Sequence, residues 1–178
     1  MTRVIAGTHK GRRLAVPAGT ATRPTSDRAR EGLFSSLLSL LDVEGARVLD
    51  LYAGSGALGL EALSRGAFRA TLVEQDPAAA AVVRANLAAL ALEADVVEAD
   101  VEVFLRRSPE RVDLALLDPP YEVAVEPVLE LLLPWLAPEA IVVVERRTRG
   151  QAPLPPDGLT LRRDRRYGEA TLWYFRAT

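Results

Sequence analysis

From residue 46 onward, short apolar runs alternate with segments whose apolar residues recur at helical spacing. The runs predict five strands: Arg47–Leu51, Ala70–Glu74, Asp95–Glu98, Leu114–Leu117 and Ala140–Glu145. The clearest helix covers Pro77–Leu90, where Asp76 is the predicted N-cap, and Gly66 is predicted to end the preceding helix. Strict alternation of strand and helix implies right-handed crossovers and a parallel sheet covered by helices on both faces.

The two ends of the chain depart from this rhythm. Too few residues separate Leu159–Arg163 from Ala170–Phe175 for a crossover helix, so we expect an antiparallel hairpin there. Near the N-terminus, Arg3–Ala6 and Arg13–Val16 flank a turn and predict a smaller hairpin, followed by a helix over Ser26–Leu41. The pattern as a whole predicts an α/β fold, a doubly wound domain with these two hairpins added.

Residue composition excludes several kinds of chemistry. The 178 residues include no cysteine and one histidine, His9. Disulfides, thiolate nucleophiles, cysteine-bound metal clusters and multi-histidine metal sites are therefore excluded, and we expect no metal. The longest charge-free stretches have ten residues, whereas a membrane helix needs about 18. No segment resembles a signal peptide, so we expect a cytoplasmic protein without a membrane partner.

Charge is distributed unevenly, although the net charge is only -2. Residues 1–32 carry seven Lys or Arg against two acids, and residues 146–178 carry eight against three. The chain between them carries nineteen acids against seven arginines. Two basic ends that converge in space would suit a polyanion such as nucleic acid, but a solvated basic surface has the same composition. Charge alone leaves both interpretations open.

A glycine-rich turn follows the first predicted strand of the sheet. It has the spacing Gly54-x-Gly56-x-x-Gly59, which lets a ligand approach the backbone closely. Glu74 ends the next strand, where its carboxylate could accept hydrogen bonds from ribose hydroxyls. Together these features indicate an adenosine-containing cofactor, and both NAD and S-adenosylmethionine fit the glycine spacing.

Two aspartates bear on the choice of cofactor. The Asp50 carboxylate directly precedes the glycine turn, which suits an ammonium and a sulfonium group and would repel the pyrophosphate of NAD. This favours a methyl donor. Asp100 follows the third strand, where it could accept a hydrogen bond from an adenine amino group or simply cap the next helix.

The string Asp118-Pro119-Pro120-Tyr121 follows the apolar strand Leu114–Leu117. Consecutive prolines exclude a helix interior and fix an extended, rigid turn. The Asp118 carboxylate and the Pro119 carbonyl could then grip the N–H bonds of an exocyclic base amine and aim its lone pair at a methyl group. Tyr121 could stack on the base. The alternative is that the string forms only a stiff loop in which Asp118 caps a helix. The glycine turn upstream in the same sheet argues against this alternative.

These motifs resemble those of class I, amino-directed methyltransferases that use S-adenosylmethionine. Along its whole length the chain resembles the RsmD family of bacterial 16S ribosomal RNA (guanine-N2)-methyltransferases. The matching segments include Arg23-Pro-Thr-Ser-Asp-Arg-Ala-Arg-Glu31, Asp50-Leu-Tyr-Ala-Gly-Ser-Gly56 and Arg166-Tyr-Gly-Glu-Ala-Thr171. The family's fold would be Rossmann-like, a mostly parallel seven-stranded sheet with an antiparallel C-terminal hairpin strand. It would form one domain over residues 1–178, with an RNA-binding appendage over 1–42 and a catalytic core over 43–178.

The resemblance also implies roles for particular residues. Those expected to hold the target guanine are Asp118, Pro119, Pro120 and Tyr121. Those expected around S-adenosylmethionine are Asp50, Ala53, Gly54, Ser55, Gly56, Glu74, Gln75, Asp100 and Val101. Those expected to contact RNA are Lys10, Arg12, Arg13, Arg23, Thr25, Arg28 and Arg30. The implied partner is an assembled or assembling small ribosomal subunit, and the implied state is a monomer.

Three other functions compete with this interpretation. A DNA adenine-N6 methyltransferase would use the same Asp-Pro-Pro-Tyr string, although the short chain leaves no room for an evident DNA target-recognition domain. An NAD-dependent oxidoreductase would explain the glycine turn but neither Asp50 nor the proline pair. A non-catalytic RNA-binding protein on the same fold would not depend on Asp118.

Overall fold

The computed structural model describes residues 2–19 and 26–178, which form a sheet flanked by helices on both faces. The strands are β1 (Thr2–Arg3), β2 (Arg13–Leu14), β3 (Arg47–Leu51), β4 (Arg69–Glu74), β5 (Asp95–Glu98), β6 (Val112–Leu117), β7 (Leu136–Arg147), β8 (Leu159–Tyr167) and β9 (Ala170–Ala177). The α-helices are α1 (Asp27–Leu37), α2 (Ala57–Ser64), α3 (Pro77–Leu90), α4 (Val101–Leu105) and α5 (Glu126–Leu132), and a 3-10 turn covers Leu133–Trp135.

The seven strands of the main sheet lie in the order β5-β4-β3-β6-β7-β9-β8. The first five run parallel, and β9 is antiparallel to both β7 and β8. The strand order reverses direction between β3 and β6, and a crevice opens beyond the carboxyl ends of the strands at such a point. The predicted fold class is confirmed, including the C-terminal hairpin.

The apolar residues form one layer on each face of the sheet. Leu33 and Phe34 of α1 pack with Leu72 and Tyr174 on one face. Phe104 of α4 and Leu129 of α5 pack with Val142 and Phe175 on the other. Most of β3 and β6 is buried because helices cover both faces there, which explains why these strands read as continuous apolar runs.

The N-terminal hairpin is shorter than the sequence predicted. The backbone N–H groups of Ile5 and Ala6 donate to the Glu61 carboxylate at 2.9 and 3.0 Å instead of pairing with a strand. Ala15 likewise exchanges hydrogen bonds with the Asn86 side chain of α3. The hairpin is therefore held on α2 and α3 by side chains, which local strand patterning does not reveal.

Other element boundaries also differ from the sequence prediction. Helix α1 ends at Leu37, and the predicted remainder to Leu41 forms turns closed by bonds from the N–H groups of Leu40 and Leu41 to the Leu37 carbonyl. Strand β8 continues beyond Arg163 to Tyr167 because its backbone pairs with β9 over these residues, after a register shift between Leu161 and Arg163. Asp76 and Gly66 lie at helix ends as predicted, with the Asp76 carboxylate accepting a hydrogen bond from the Ala78 N–H at 3.0 Å.

Candidate active site

A cleft of about 660 Å³ opens beyond the carboxyl ends of β3, β4, β6 and β7. Its described lining contains residues of the glycine turn, the Asp-Pro-Pro-Tyr loop and the β8–β9 hairpin. Six carboxylates belong to this lining: Glu74, Asp100, Asp118, Glu122, Glu145 and Glu169. Arg147 is the one basic residue among the described lining residues. Such a cleft attracts a cation and repels a pyrophosphate.

The glycine turn bends into the cleft through left-handed backbone conformations. Tyr52, Gly54 and Gly56 have φ angles of 63°, 58° and 83°. The Gly54 N–H donates to Glu74 Oε1 at 2.9 Å, and the Asp76 N–H donates to Glu74 Oε2 at the same distance. Glu74 thus fixes the turn while its carboxylate stays at the cleft surface.

Ala53, Gly54 and Ser55 line the cleft as expected, whereas Gly56 lies behind it as the N-cap of α2. A Cβ atom at Gly56 would lie 3.1 Å from the Leu72 Cδ2 atom. The second glycine of the motif therefore serves the packing of α2 on the sheet, and the residues before it form the surface that a ligand meets.

Asp50 does not reach the cleft, contrary to the role that the sequence suggested. Its side chain is 1% exposed, and its Oδ2 atom accepts the Gly59 N–H at 2.9 Å. Burial raises the pKa of Asp50 to about 7, a hydrogen bond from Gly59 opposes this shift, and the charge of Glu74 adds to it. Asp50 anchors the first turn of α2, and the carboxylates at the cleft surface supply the negative charge that was assigned to it.

This burial predicts a pH dependence of stability. Because the folded-state pKa of Asp50 is raised, its contribution to stability is full below the unfolded-state value near 4 and is lost as the pH rises through about 7. The free energy of unfolding of the wild type, relative to that of Asp50→Asn, should fall by about 1.4 kcal/mol per pH unit in this window and level off above it. Urea unfolding of both proteins at half-unit pH steps measures this difference, and parallel curves would contradict the assignment.

Asp100, Gln75 and Val101 line the cleft beside the glycine turn. The Asp100 Oδ1 atom accepts the Val103 N–H at 3.0 Å, so Asp100 caps α4 as well as facing the cleft. Tyr52, which the sequence analysis did not select, also lines the cleft. Burial, followed by the charges of Asp100 and Glu102, raises the pKa of Tyr52 to about 12 and keeps its hydroxyl protonated.

The loop Asp118–Tyr121 follows β6 and borders the cleft. Asp118 is half-buried, Pro119 is buried, and Tyr121 is 41% exposed. The Arg146 guanidinium donates to the backbone carbonyls of Pro120, Tyr121 and Val123 at 3.3, 2.8 and 3.1 Å. The guanidinium carbon of Arg147 lies 4.5 Å from the centre of the Tyr121 ring. The loop is thus held from the end of β7, by two residues that the sequence analysis missed.

The residues expected to contact RNA occupy different environments. Lys10, Arg13 and Arg28 are exposed. Arg12 is also exposed, but its guanidinium donates to the Ala89 carbonyl at the end of α3 at 2.8 Å. Arg23 and Thr25 lie outside the described residues.

Arg30 does not lie on a surface, so its expected RNA contact is wrong. The side chain is fully buried and donates to Asp27 Oδ1 at 3.0 Å and to the Arg3 carbonyl. Its Nε atom lies 3.8 Å from a carboxylate oxygen of Glu61, which is also fully buried. Arg30 therefore joins α1 to the N-terminal hairpin and to α2.

Neither a metal site nor a membrane helix occurs in the described part of the chain. Residues 2–19 and 26–178 contain no group of three or more histidine, aspartate or glutamate side chains placed to hold a metal ion. No helix within those ranges has the length and apolar character needed to cross a bilayer.

Comparison with known proteins identifies the family. The family described as conserved hypothetical protein 95 matches residues 2–176. Ribosomal RNA small subunit methyltransferase D of Escherichia coli (strain K12) is 40% identical over 171 residues, which cover 94% of this chain and 85% of that protein. This chain belongs to the ribosomal RNA small subunit methyltransferase D family. The family resemblance seen in the sequence is confirmed.

Further proteins are similar to this chain in sequence and in structure. The methyltransferase of the same name from Haemophilus influenzae is 36% identical over 175 residues, covering 93% of this chain and 89% of that protein. The solved structure of Escherichia coli yhhF superposes with a TM-score of 0.87 at 38% identity and covers 99% of this chain and 97% of that one. Membership in this methyltransferase family indicates S-adenosylmethionine as the cofactor, as predicted. The acidic cleft and the Glu74-braced glycine turn fit its positively charged sulfonium and ammonium groups.

Proposed function

We propose that this protein transfers a methyl group from S-adenosylmethionine to the exocyclic N2 amine of a guanosine in 16S ribosomal RNA. The observation that carries the proposal is the Asp118–Tyr121 loop, which borders the same acidic cleft as the glycine turn and Glu74. A base held by the loop would therefore face a methyl donor held by the turn. The names of the relatives supply the ribosomal RNA substrate.

The residues assigned to the cofactor divide by position. Glu74 is proposed to accept hydrogen bonds from the ribose hydroxyls, and Asp100 with Val101 to border the adenine. Ala53, Gly54 and Ser55 bring the backbone close to the donor, and Gln75 lies beside them. When bound, S-adenosylmethionine supplies an electrophilic methyl carbon on a sulfonium.

The loop is proposed to make the amine nucleophilic by position. The lone pair of a base amine is delocalised into the ring, so the nitrogen attacks poorly while it stays planar. Acceptors at the Asp118 carboxylate and the Pro119 carbonyl would grip both N–H bonds and favour a tetrahedral nitrogen. Formation of the new nitrogen–carbon bond would break the methyl–sulfur bond, whose electron pair stays on sulfur and gives a neutral thioether. The nitrogen would gain positive charge and then release one proton, for which the Asp118 carboxylate is the proposed acceptor.

The half-exposed ring of Tyr121 is proposed to stack on the target base. Tyr121 is 41% exposed, and the guanidinium carbon of Arg147 makes a cation–π contact with its ring at 4.5 Å. Burial, together with the charges of Glu145 and Asp118, raises the pKa of Tyr121, so the ring stays neutral and does not repel phosphate.

We further propose that the protein is a cytoplasmic monomer that acts on an assembled or assembling small ribosomal subunit.

Methyl transfer from radiolabelled S-adenosylmethionine tests the proposed substrate. Small ribosomal subunits that lack their own guanine methylation are incubated with the protein, with naked 16S RNA and duplex DNA in parallel. We expect label in the subunits or the RNA and none in DNA. Label in DNA alone would keep the role of the loop and support the adenine-N6 alternative, and no label despite measurable cofactor binding would support a non-catalytic role.

A further inference from the structure

Four side chains form a row that alternates cationic and aromatic groups from the outer edge of the sheet into the cleft. We refer to Arg165, Tyr167, Arg147 and Tyr121 as the arginine–tyrosine row. Tyr167 on β8 pairs with Ala170 on β9, and Ala170 pairs in turn with Arg147 on β7. Opposed residues of antiparallel strands project to the same face, as do residues two apart on one strand. Arg165, Tyr167 and Arg147 therefore share the face on which the cleft opens.

Helix α1 borders the row, and its Gly32 leaves room for the Tyr167 ring. A Cβ atom at Gly32 would lie 2.2 Å from the ζ carbon of that ring, so a larger residue at this position would displace the ring. Beyond the end of α1, the Arg163 guanidinium donates to the Ser39 hydroxyl at 2.8 Å. Arg28 lies one helical turn before Gly32, at the cleft end of α1, and is exposed.

Several arginines elsewhere on the surface pair with carboxylates, whereas the arginines of the row have no such partner among the described residues. Arg47, Arg69 and Arg84 each lie within 2.8 Å of a carboxylate oxygen. Within residues 2–19 and 26–178, no ion pair involves Arg28, Arg147 or Arg165. The Arg165 guanidinium donates a hydrogen bond to the backbone carbonyl of Asp164 at 2.9 Å, which is a neutral acceptor.

Charge and shape together indicate what this surface binds. Arginines without an ion-pair partner at the rim of an acidic cleft attract phosphates to that rim and leave the interior of the cleft to uncharged or cationic groups. Aromatic rings between the arginines offer stacking surfaces, which only unpaired bases can use. Interleaved basic and aromatic side chains are typical of proteins that bind single-stranded nucleic acid.

We infer that the arginine–tyrosine row, with Arg28, is the surface that guides a single-stranded RNA segment into the cleft. Arg165, Arg147 and Arg28 contact backbone phosphates, Tyr167 stacks on a base adjacent to the target, and Tyr121 receives the target base. This inference rests on the proposed function and deepens it, because it adds Arg147, Arg165 and Tyr167, to which the sequence analysis gave no contact with RNA.

The test compares matched double variants. Arg147→Gln/Arg165→Gln removes two cations of the row, and Arg84→Gln/Arg106→Gln removes two exposed arginines that are ion-paired with Glu98 and Glu102. The probe is a labelled single-stranded oligoribonucleotide of mixed sequence, with a duplex of the same length in parallel, titrated at several salt concentrations. We expect the row variant to lower the slope of log affinity against log salt by about 0.7 per lost phosphate contact, and the control to leave it unchanged.

Two single variants isolate the stacking contact. Tyr167→Phe keeps the ring and should keep the affinity for the single strand, whereas Tyr167→Ala should weaken it about fivefold or more. Three results would each overturn the inference. The salt slope could stay unchanged in the row variant, the control variant could lose as much affinity as the row variant, or the row variant could lose more affinity for the duplex than for the single strand.

Steady-state methylation of small ribosomal subunits separates this inference from the proposed function. Arg165 does not line the cleft. The variant Arg165→Gln should therefore raise the KM for subunits and leave kcat unchanged. If the wild type methylates subunits and this variant has an unchanged KM, the role of the row in RNA binding is contradicted and the proposed function stands. Loss of RNA binding in the row variant, together with a wild type that methylates no RNA, would reject the function and keep the row.

Discussion

Replacing Asp118 by alanine is expected to lower the rate of methyl transfer by about 10³-fold, because the change removes one of two acceptors proposed to hold the amine. Loss of a single preorganised hydrogen-bonding group of this kind costs about 10²–10³-fold in kcat, which corresponds to about 3–4 kcal/mol of transition-state stabilisation. The affinity for S-adenosylmethionine should stay within a few-fold of the wild type, because the proposed partner of Asp118 is the base. Single-turnover transfer and calorimetric cofactor titration measure the two quantities.

Two further variants serve as controls for the Asp118→Ala result. Asp118→Asn keeps one acceptor oxygen and should retain more activity than Asp118→Ala. Asp95→Ala removes an exposed aspartate that pairs with Arg69 at 2.7 Å, remote from the cleft lining, and should transfer methyl groups at the wild-type rate. Equal losses of cofactor affinity and of transfer in Asp118→Ala would show that Asp118 binds the donor instead of the base.

Replacing Arg30 by methionine is expected to destabilise the fold by about 3 kcal/mol. The change removes the Arg30 cation and leaves the Glu61 carboxylate fully buried. Removing one partner of a buried ion pair costs about 3–5 kcal/mol. We expect a value at the lower end of this range because the Glu61 carboxylate keeps its ion pair with Arg65 at 2.9 Å and its hydrogen bonds from two backbone N–H groups. Urea unfolding measures the loss.

The exposed Arg28 on the same helix supplies the control. Arg28→Met should change the free energy of unfolding by less than about 0.5 kcal/mol, as surface substitutions usually do. In RNA titrations the larger effect should come from Arg28→Met. That variant should lower the salt slope, whereas Arg30→Met, once folded, should keep the wild-type slope. An unchanged stability combined with a reduced salt slope in Arg30→Met would place Arg30 on the RNA surface after all.

The sequence predicted the parallel core because its determinants are local. The apolar runs of β3 and β6, the Asp76 cap and the Gly66 stop each depend on residues close together in the chain. The ligand-facing turn was also predictable, since glycine spacing reports backbone conformation directly: Gly54 and Gly56 both have positive φ.

Long-range contacts explain the remaining differences. Asp50 and Arg30 looked like surface charges in sequence, yet each is buried against a partner from another segment, Gly59 for Asp50 and Glu61 for Arg30. Arg146, which lies 25 residues after Tyr121 in the chain, holds the Asp-Pro-Pro-Tyr loop from β7. A basic residue at the end of an apolar strand carries no local signal of such a role, because its partners are backbone carbonyls.

The measurement that most directly tests the central proposal is the chemical position of the transferred methyl group. Small ribosomal subunits methylated by the protein are digested to nucleosides and analysed by mass spectrometry against synthetic standards. We predict that the methyl group is found in N2-methylguanosine, and that Asp118→Ala yields none above background. A methyl group on a ring carbon, on a ribose 2′-oxygen or on adenine N6 would contradict the proposal that the loop presents the guanine N2 amine.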